Sequence, residues 1–371
     1  METMLANIIR DKIAEQGPIS FHDYMEMALY YPSFGYYTSL PDKIGERGDY
    51  YTAPYFTNVY GSMIAKQIEE MWTLTGKKEF TIVEYGAGTG CLCNDILLYL
   101  QNNKELFDHL SYRIIEKSDS MRKKEIVFIN NEMLHKVRWH DSIEELPPFN
   151  GCVLANEILD NFSIHKVVMN KDELNEVYVD YKNDFIETFQ PASSEAKNYF
   201  AELKVDLPQG YNAEVNLEAI TWLKNISASL CNGFIMTIDY GFPSSELYKP
   251  YRSRGTMVCY YKHSVNDNYY GNIGQQDITT HVNFSALDHW GKKNGLTSCG
   301  YTTQSKFLLS LGLTEYLRKI EEQSAGFSAR QKLMLVYNLL LSMGNKFKVF
   351  IQQKGLNRSS LSGLKFCQPL I

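Results

Sequence analysis

A short apolar run that ends in three alternating glycines constrains the fold of this chain more than any other feature. Residues Phe80 to Tyr85 form the run, Gly86, Gly88 and Gly90 follow, and apolar residues then recur at helical spacing. Glycine lets a backbone turn sharply and approach a ligand closely, and the free N–H groups of the next helix favour a negatively charged group. The pattern predicts a strand–turn–helix unit that binds a ligand, with a purely structural turn as the alternative.

Further apolar runs alternate with helical patterns along the chain. Runs that have the pattern of strands buried on both faces cover residues 112–116, 137–140, 151–156, 234–239 and 347–351. Such strands, when helices separate them, are typical of a parallel sheet. The sequence therefore predicts an α/β fold.

The chain divides into a helical and loop-rich segment, residues 1–75, and an α/β unit, residues 76–371. Two helical patterns occupy the start of the first segment. The α/β unit carries one insertion at about 165–212, which begins with the polar–apolar alternation of antiparallel strands, and a second, loop-rich one at 240–283. We expect the N-terminal segment to cover a site on the α/β unit.

Composition argues against several classes of protein. The 371 residues include 37 Lys and Arg against 43 Asp and Glu, and this net charge of −6 argues against a nucleic-acid partner bound through bulk charge. No apolar stretch approaches the roughly 18 residues of a membrane-spanning helix, so we expect no membrane insertion.

The seven cysteines lack zinc-type spacing, which predicts reduced thiols and no metal site. Because neither a secretory signal nor a transit peptide is visible, the expected location is cytoplasmic.

The order of the glycines selects the class of cofactor. A dinucleotide-binding turn has the pattern Gly-x-Gly-x-x-Gly, but Cys91 occupies the position of its last glycine. Residues 84–90 instead have an acidic residue, one further residue and then a glycine at every second position. This order resembles motif I of class I S-adenosylmethionine (SAM) methyltransferases. In such a site the amino-acid end of SAM lies along the turn, and the acid helps to hold its ammonium group. The resemblance assigns SAM binding to Glu84, Gly86, Ala87, Gly88 and Gly90.

Acidic residues also follow the next two predicted strands. Glu116 ends the second strand, where a carboxylate can accept hydrogen bonds from both hydroxyls of a ribose. Asp141 and Ser142 follow the third strand, where they can contact the edge of an adenine. The alternatives are a surface Glu116 paired with Lys117 or Arg122, and a helix N-cap at residues 141–142. Because open α/β sheets bind ligands at the carboxyl ends of their strands, the three signals together favour a SAM site.

The segment Asn156-Glu157-Ile158-Leu159-Asp160 follows the fourth predicted strand, beside the reactive end of a bound SAM. Methyl transfer is an in-line displacement, so the enzyme mainly aligns the nucleophile. If the acceptor is an arginine, two carboxylates can hold its planar guanidinium and accept its proton. Glu157 and Asp160 share one face if the chain is helical there. The alternative is a pair of acids that start a helix and are favoured by its dipole.

Two other segments have features of a site. Residues 46–54 combine charge, Gly and Pro, as a loop that covers a ligand does. Asp277 and His281 lie four residues apart before a predicted helix, and His281 can act as a base because its ordinary pKa lies near neutrality. A hydrogen-bonded structural histidine is the alternative. One Asp and one His are too few ligands for a metal.

Longer blocks of the sequence resemble the MidA-like family of SAM-dependent methyltransferases. The blocks that carry the resemblance are residues 19–21, 28–32, 35–37, 48–50, 52–54, 84–90, 139–142, 156–160, 238–241, 254–256, 276–282 and 307–309. The resemblance implies a class I SAM methyltransferase with a Rossmann-like sheet, whose N-terminal segment and β-rich insertions help to build the substrate site. For the family's mitochondrial member it implies dimethylated arginine on a respiratory-complex subunit as the product. Tyr31 and Tyr55 occupy positions where the family has acidic residues. The substrate of the family therefore need not be the substrate of this chain.

Three functions compete on this basis. The leading hypothesis is a methyltransferase that acts on arginine in a protein substrate, with Glu157, Asp160 and His281 as catalytic candidates and Asn156 as a further SAM contact. The second is a SAM-fold module that binds or assembles a partner protein and catalyses little. The third, an NAD-dependent dehydrogenase, is disfavoured by Cys91 and by the lack of an acid at a strand end about 20 residues beyond the turn.

Overall fold

The computed structural model describes residues 3–39, 57–323, 344–357 and 360–370, together with residues 334, 336, 337 and 340. The predicted loop at 46–54 and Tyr55 lie outside the described residues. The helices whose bounds are described are, in chain order, α1 (Met4–Gln16), α2 (Phe21–Tyr30), α3 (Asn58–Leu74), α4 (Cys91–Leu100), α5 (Lys104–Asp108), α6 (Asp119–Phe128), α7 (Ser194–Leu203), α8 (Leu217–Ser229), α9 (Ser244–Leu247), α10 (Phe284–Lys293), α11 (Gln304–Ser310) and α12 (Leu313–Gln323).

Three sheets contain the strands of the described chain. These are β1 (Ile19–Ser20), β2 (Phe80–Tyr85), β3 (Leu110–Ile115), β4 (Val137–His140), β5 (Phe149–Asn156), β6 (His165–Asn170), β7 (Glu173–Tyr181), β8 (Phe185–Pro191), β9 (Asn212–Val215), β10 (Leu230–Phe242), β11 (Val258–Tyr261), β12 (Ser264–Asn266), β13 (Asp277–Thr279), β14 (Val282–Asn283), β15 (Thr297–Thr303) and β16 (Phe347–Lys354).

The central sheet has the strand order β15-β16-β10-β5-β2-β3-β4, and β14 pairs with the end of β10. The neighbours from β10 to β4 are all parallel, whereas β16 runs antiparallel to both β10 and β15. The predicted α/β fold with a parallel sheet is confirmed. After β2 the chain proceeds outward through β3 and β4 and then returns to the other side of β2 as β5. This reversal opens a crevice at the carboxyl ends of β2 and β5, where open α/β sheets bind ligands.

The alternation of side chains along β2 divides the core into two layers. Ile82 packs in the layer that holds Ile64 of α3 and Ile96 of α4. Val83 faces the opposite layer, which contains Leu223 of α8. Strands covered on both faces read as continuous apolar runs, which is why the sequence located them. Strand β15, which was not predicted, lies at the edge of the sheet and has the polar sequence TSCGYTT.

A second sheet, of order β1-β7-β6-β9 with β8 beside β7, is antiparallel throughout and confirms the predicted alternating strands. Helices α1 and α2 share an apolar cluster with this sheet and with β11 and β13. Ser20 starts α2 by accepting a hydrogen bond from the N–H of Asp23 at 3.0 Å. The third sheet, of order β12-β11-β13, lies within the second insertion. Helix α3 shares its core with the central sheet instead. The division of the chain at residue 75 stays a prediction.

Several chemical expectations concern the whole chain. All seven cysteines are free thiols. In the part of the chain that is described, no three His, Cys, Asp or Glu side chains are grouped as metal ligands. No helix of the described residues combines the length and the apolar character that crossing a membrane requires.

The contact between α2 and the insertions predicts a large effect of one substitution. The Phe21 side chain is fully buried and its ring lies 6.0 Å from that of Tyr269 and 6.4 Å from that of Tyr270. Phe21→Ala should lower the free energy of unfolding by about 3–5 kcal/mol, because it removes apolar contacts and leaves a cavity. Phe189→Ala is the control: its ring is 51% exposed, and the expected change is below about 0.5 kcal/mol. Denaturant unfolding checks both, and equal effects would contradict this packing.

Candidate functional site

The glycine turn has an unusual backbone conformation, in which the N–H groups of Gly86 and Gly90 donate to the carbonyl oxygens of Ile115 and Ala87. Gly86, Gly88 and Gly90 have φ angles of +58°, +61° and +83°, which side chains other than glycine rarely adopt. A Cβ atom on Gly86 would lie 2.4 Å from the Cδ1 atom of Ile158. Gly90 precedes α4 and supplies no side-chain cap, so the first N–H groups of this helix have no side-chain cap acceptor. Ala87 is buried within the turn. This backbone suits the anionic end of a ligand.

Glu84 lies in the interior just before the turn. Its Oε2 atom accepts a hydrogen bond of 2.7 Å from the Tyr112 hydroxyl, and its side chain is buried. Burial raises the pKa of Glu84 to about 7, and the hydrogen bond from Tyr112 opposes this rise. A buried carboxylate with this pKa is suited to a cationic neighbour, which would favour its ionised form.

The structure brings Glu116 and Asp141 together through Arg122. The guanidinium of Arg122 forms an ion pair with Asp141 and also donates from Nε to the carbonyl oxygen of Glu116 at 2.6 Å. The Glu116 carboxylate itself is half-buried and accepts a hydrogen bond from the N–H of Ser118 at 2.7 Å. Burial raises its pKa. Ser142 precedes a 3₁₀ turn but its side chain makes no cap bond, so the N-cap alternative is not observed there.

Glu125 is a buried acid that the sequence analysis missed. Its Oε2 atom accepts a 2.6 Å hydrogen bond from the indole N–H of Trp139, and its Oε1 atom has no partner among the described residues. Burial and the nearby charge of Glu116 raise the pKa of Glu125 to about 8. A Cβ atom on Gly90 would lie 3.2 Å from the Cα atom of Glu125, so this helix passes directly behind the turn. The Met-Arg-Lys-Lys-Glu sequence of a surface helix contains no signal that its last acid faces inward.

The segment after β5 is not a helix in its first residues. Glu157 has a φ angle of +57°, and only Leu159–Asn161 forms a single 3₁₀ turn. The expectation that Glu157 and Asp160 share a helical face is therefore wrong at Glu157. Asn156 accepts a 2.6 Å hydrogen bond from the hydroxyl of Tyr60 and donates one of 3.2 Å to the Glu157 carboxylate. The side chain of Asn156 thus orients that of Glu157.

Asp239, at the carboxyl end of β10, holds this segment in place. Its Oδ2 atom accepts hydrogen bonds from the backbone N–H groups of Ile158, Leu159 and Asp160 at 3.2, 2.9 and 3.2 Å. Its Oδ1 atom accepts a fourth from the N–H of Tyr240 at 2.8 Å. Burial nevertheless raises the pKa of Asp239 to about 7. Sequence reasoning gave this residue no role, although an acid at the end of a buried parallel strand is a signal of a site.

Four acids meet beyond Asn156, and we call them the acidic cluster: Glu157, Asp160, Asp239 and Asp277. Asp160 is 4% exposed, and its Oδ1 atom has no hydrogen-bond partner among the described residues. Burial and then the charges of Asp239 and Asp277 raise its pKa. Burial, and then Asp239, raises the pKa of Glu157 to about 8. Within the described chain, no Lys or Arg forms an ion pair with Glu157, Asp160 or Asp239.

Helix α2 and the loop after it add tyrosines to the acidic cluster. The Tyr37 hydroxyl lies 2.9 and 3.0 Å from the carboxylate oxygens of Asp277 and accepts a 3.1 Å hydrogen bond from Asn161. The Tyr30 ring stacks on that of Tyr37 at 5.6 Å, and its hydroxyl donates to Asn161. Tyr31, one of the two departures from the family pattern, packs against Phe34 instead. The N-terminal segment therefore forms one wall of this site.

His281 lies beside the acidic cluster and not within it. Its backbone N–H donates to the hydroxyl of Thr256 at 3.0 Å, whereas its Nδ1 atom has no partner among the described residues. Burial, and then the charges of Arg252 and Lys348, lower the pKa of His281 to about 4. The imidazole is therefore neutral at pH 7. Its assignment as a catalytic base stays a prediction.

Curated relatives extend over most of the chain. A protein arginine methyltransferase NDUFAF7 homolog of Caenorhabditis elegans is 28% identical over 93% of this chain and 85% of its own length. The human protein arginine methyltransferase NDUFAF7 is 26% identical over 91% of this chain and 81% of its own length. Each of these matches therefore covers more than nine-tenths of this chain.

The relatives correct the expected location. The names of these proteins place them in mitochondria, so the prediction of a cytoplasmic protein is wrong. That prediction depended on reduced thiols and on the first residues of the chain. Free cysteines report the redox conditions around a protein and do not by themselves select one compartment.

A solved structure and a family model bear on the fold and on the cofactor. A crystal structure from Burkholderia thailandensis, in complex with S-adenosyl-homocysteine, superposes with a TM-score of 0.89 and is 30% identical over 98% of this chain and 95% of that one. The family model for S-adenosyl-L-methionine-dependent methyltransferases matches residues 63–302. The SAM cofactor and the predicted Rossmann-like fold are confirmed by these comparisons. With its glycine turn and the acids that follow successive strands, the chain belongs to this family of SAM-dependent methyltransferases.

Proposed function

We propose that this protein transfers methyl groups from SAM to arginine side chains of a protein substrate. The observation that carries the proposal is the acidic cluster, in which buried Asp160 and Asp239 have no basic partner among the described residues. Burying carboxylates without a cation is costly, so a fold that keeps them is suited to a cationic ligand. The relatives named protein arginine methyltransferases support a guanidinium as that ligand.

The cofactor half of the proposal assigns roles to residues around the crevice. When bound, SAM supplies an electrophilic methyl group on a sulfonium. Glu84 would balance the ammonium group, and the N–H groups that follow Gly86 and Gly88 would hold the carboxylate end. Glu116 would accept hydrogen bonds from the ribose hydroxyls. The remaining contacts are proposed for Ala87, Gly90, Asp141, Ser142 and Asn156.

The acceptor half concerns how the acids treat a guanidinium. A planar guanidinium presents paired N–H donors, and carboxylates bind this fork in a bidentate manner. Glu157 and Asp160 would hold it in line with the methyl group, and one of them would accept the proton that leaves as the C–N bond forms. The raised pKa of Glu157, about 8, makes it a stronger base than an ordinary carboxylate. Asp239 would act through the backbone that it holds.

The protein that carries the arginine is a separate question. The family resemblance names a subunit of a respiratory complex as the acceptor of the mitochondrial member. A subunit of this kind is our candidate for the present chain. Methylation of fractionated cell lysate with radiolabelled SAM, followed by identification of the labelled protein, tests this candidate directly.

The ribose assignment predicts the effect of Glu116→Gln. The amide keeps an acceptor for the N–H of Ser118 but loses the charge, so affinity for S-adenosyl-homocysteine should fall about 10- to 100-fold. Isothermal titration calorimetry measures this change. Glu132→Gln, at an exposed position shortly before β4, is the control with unchanged affinity. Equal affinities of all three proteins would contradict the placement of the ribose.

The acceptor assignment predicts that Glu157→Gln separates binding from transfer. Affinity for S-adenosyl-homocysteine should stay within about twofold, while the rate of arginine methylation falls about 10²- to 10⁴-fold, the range of general acid–base effects. Mass spectrometry of methylarginine formed in lysate proteins and arginine peptides measures the rate. Unchanged methylation would contradict the catalytic role of Glu157, whereas no methylation by the wild type in the presence of SAM would favour the alternative of a SAM-fold assembly module.

The raised pKa values predict a pH dependence of the reaction. An acid whose pKa is raised to about 8 is mostly protonated at pH 7 and must be ionised to hold and deprotonate a guanidinium. The value of kcat/KM for the acceptor should therefore rise with pH and level off above about pH 8. Because the four acids interact, the rising part of the pH profile reports the titration of the acidic cluster as a whole and not of Glu157 alone. A flat profile between about pH 6 and 9 would contradict this account.

A further inference from the structure

Lys348 is a buried cation that nothing in the methyl-transfer reaction uses. It is 9% exposed, and its ammonium group donates a 2.7 Å hydrogen bond to the carbonyl oxygen of Asn345. No carboxylate of the described residues forms an ion pair with it, and burial together with the charge of Lys306 lowers its pKa. A buried ammonium group without a counter-ion is costly, so a fold that retains one is suited to an anionic ligand.

A second cation and an aromatic ring lie next to Lys348. The Lys348 ammonium lies 5.6 Å from the centre of the Phe242 ring, and the guanidinium carbon of Arg252 lies 4.2 Å from the same centre. Arg252 is partly neutralised, because it also contacts the Glu246 carboxylate at 3.4 Å. We call Arg252, Lys306 and Lys348 the basic cluster. With Glu246 as its one carboxylate contact among the described residues, the cluster keeps a net positive charge.

The side chain of His281 completes this surface. Its ring centre lies 5.3 Å from that of Phe242, and its Nδ1 atom is buried without a hydrogen-bond partner among the described residues. Arg252 and Lys348 are both close enough to lower its pKa. A buried polar atom without a partner among the described residues, beside two cations, suits an anionic ligand that carries oxygen atoms.

The basic cluster lies beside the acidic cluster, at the carboxyl end of β10. Asp239 on β10 pairs with Lys348 on β16, and Tyr240 pairs with Phe347. The Tyr240 ring lies 6.5 Å from the His281 ring and stacks on it at 15°. The same tyrosine is also within electrostatic reach of Glu157 and Asp160. One aromatic side chain, that of Tyr240, therefore lies close both to the acidic cluster and to His281.

We propose that the basic cluster and His281 bind a carboxylate of the protein substrate, from an Asp or Glu within about four residues of the arginine that enters the acidic cluster. This inference rests on the proposed function, because it takes the substrate to be a protein with an arginine acceptor. An extended peptide rises about 3.3 Å per residue, so four residues span about 13 Å, which exceeds the 6.5 Å between the ring centres of Tyr240 and His281. The enzyme would thus recognise a pair of opposite charges on its substrate and not an isolated arginine.

The test uses arginine peptides in matched pairs, with Glu or Gln at each position from −4 to +4, bound to the full chain in the presence of S-adenosyl-homocysteine. For at least one position of the Glu relative to the arginine, the wild type should bind the Glu peptide about tenfold more tightly than the matching Gln peptide. This is the difference expected from one charge-assisted hydrogen bond. Lys348→Met should remove this preference and leave affinity for the Gln member within about twofold. Lys224→Met, at an exposed position of α8, is the control that keeps the preference. Fluorescence polarisation measures all affinities.

Two further measurements distinguish a substrate-binding Lys348 from a cofactor-binding or structural one. Lys348→Met should leave affinity for S-adenosyl-homocysteine unchanged and should not lower the unfolding temperature, because the ammonium has no buried anion to lose. A loss of cofactor affinity would overturn the inference by assigning the cation to the cofactor's own carboxylate, and a loss of stability would assign it a structural role. Equal binding, or no binding, of the Glu and Gln members by the wild type also overturns it.

The proposed function has its own control in the same assay. Peptide pairs with citrulline in place of arginine keep the length of the side chain but lose its charge. A protein arginine methyltransferase must distinguish arginine from citrulline whatever Lys348 binds. Failure to distinguish them would count against the proposed function, whereas a lost Glu preference with arginine recognition intact would count against the basic cluster alone.

Discussion

The carboxylate of Asp239, with four backbone N–H groups bound to it, is the interaction on which the arrangement of this site depends. Three of these groups belong to consecutive residues, Ile158 to Asp160, so one side chain determines the path of the chain as it leaves β5. This path includes the left-handed backbone at Glu157, a conformation that costs free energy for a residue other than glycine. The Asp239 bonds, together with the bond from the N–H of Glu157 to the carbonyl of Ile238, offset this cost.

Two adjacent strands thereby cooperate in one task. Strand β5 leads into the residues that we propose face the reacting groups, and β10 carries the acid that holds the backbone of this segment. The carbonyl oxygen of Asp160 in turn accepts a 2.7 Å hydrogen bond from the N–H of Thr280, which connects the same segment to the strands of the second insertion. The insertion and the central sheet are thus joined at the site itself. A shift of either one would move the acids.

The charges at the active edge are arranged in two groups of opposite sign. The acidic cluster lies beyond β5, and the basic cluster lies around Phe242 and the start of β16, where Lys348 pairs with Asp239. Buried charges without counter-ions are destabilising, and Asp160, Asp239 and Lys348 form no ion pair within the described residues. Buried charge that the fold does not neutralise is expected where a ligand of opposite charge completes the electrostatics. Burial, and then the neighbouring like charges, raise the pKa of Glu157 and lower that of His281.

The amino-acid sequence by itself determined the strand–turn–helix unit at residues 80–100, the positions of the buried strands along the chain and the acids at their ends. These features follow from local preferences and from side-chain periodicity, which act within a few residues of one another. The tertiary structure decided what meets at the edge of the sheet: Asp239 beneath Ile158, Tyr37 on Asp277, and Lys348 beside His281. Each of these contacts joins residues far apart in the chain, and the free energy that places them comes from packing of the whole core. The left-handed conformation of Glu157 is of the same kind, because only the distant Asp239 and Ile238 make it favourable.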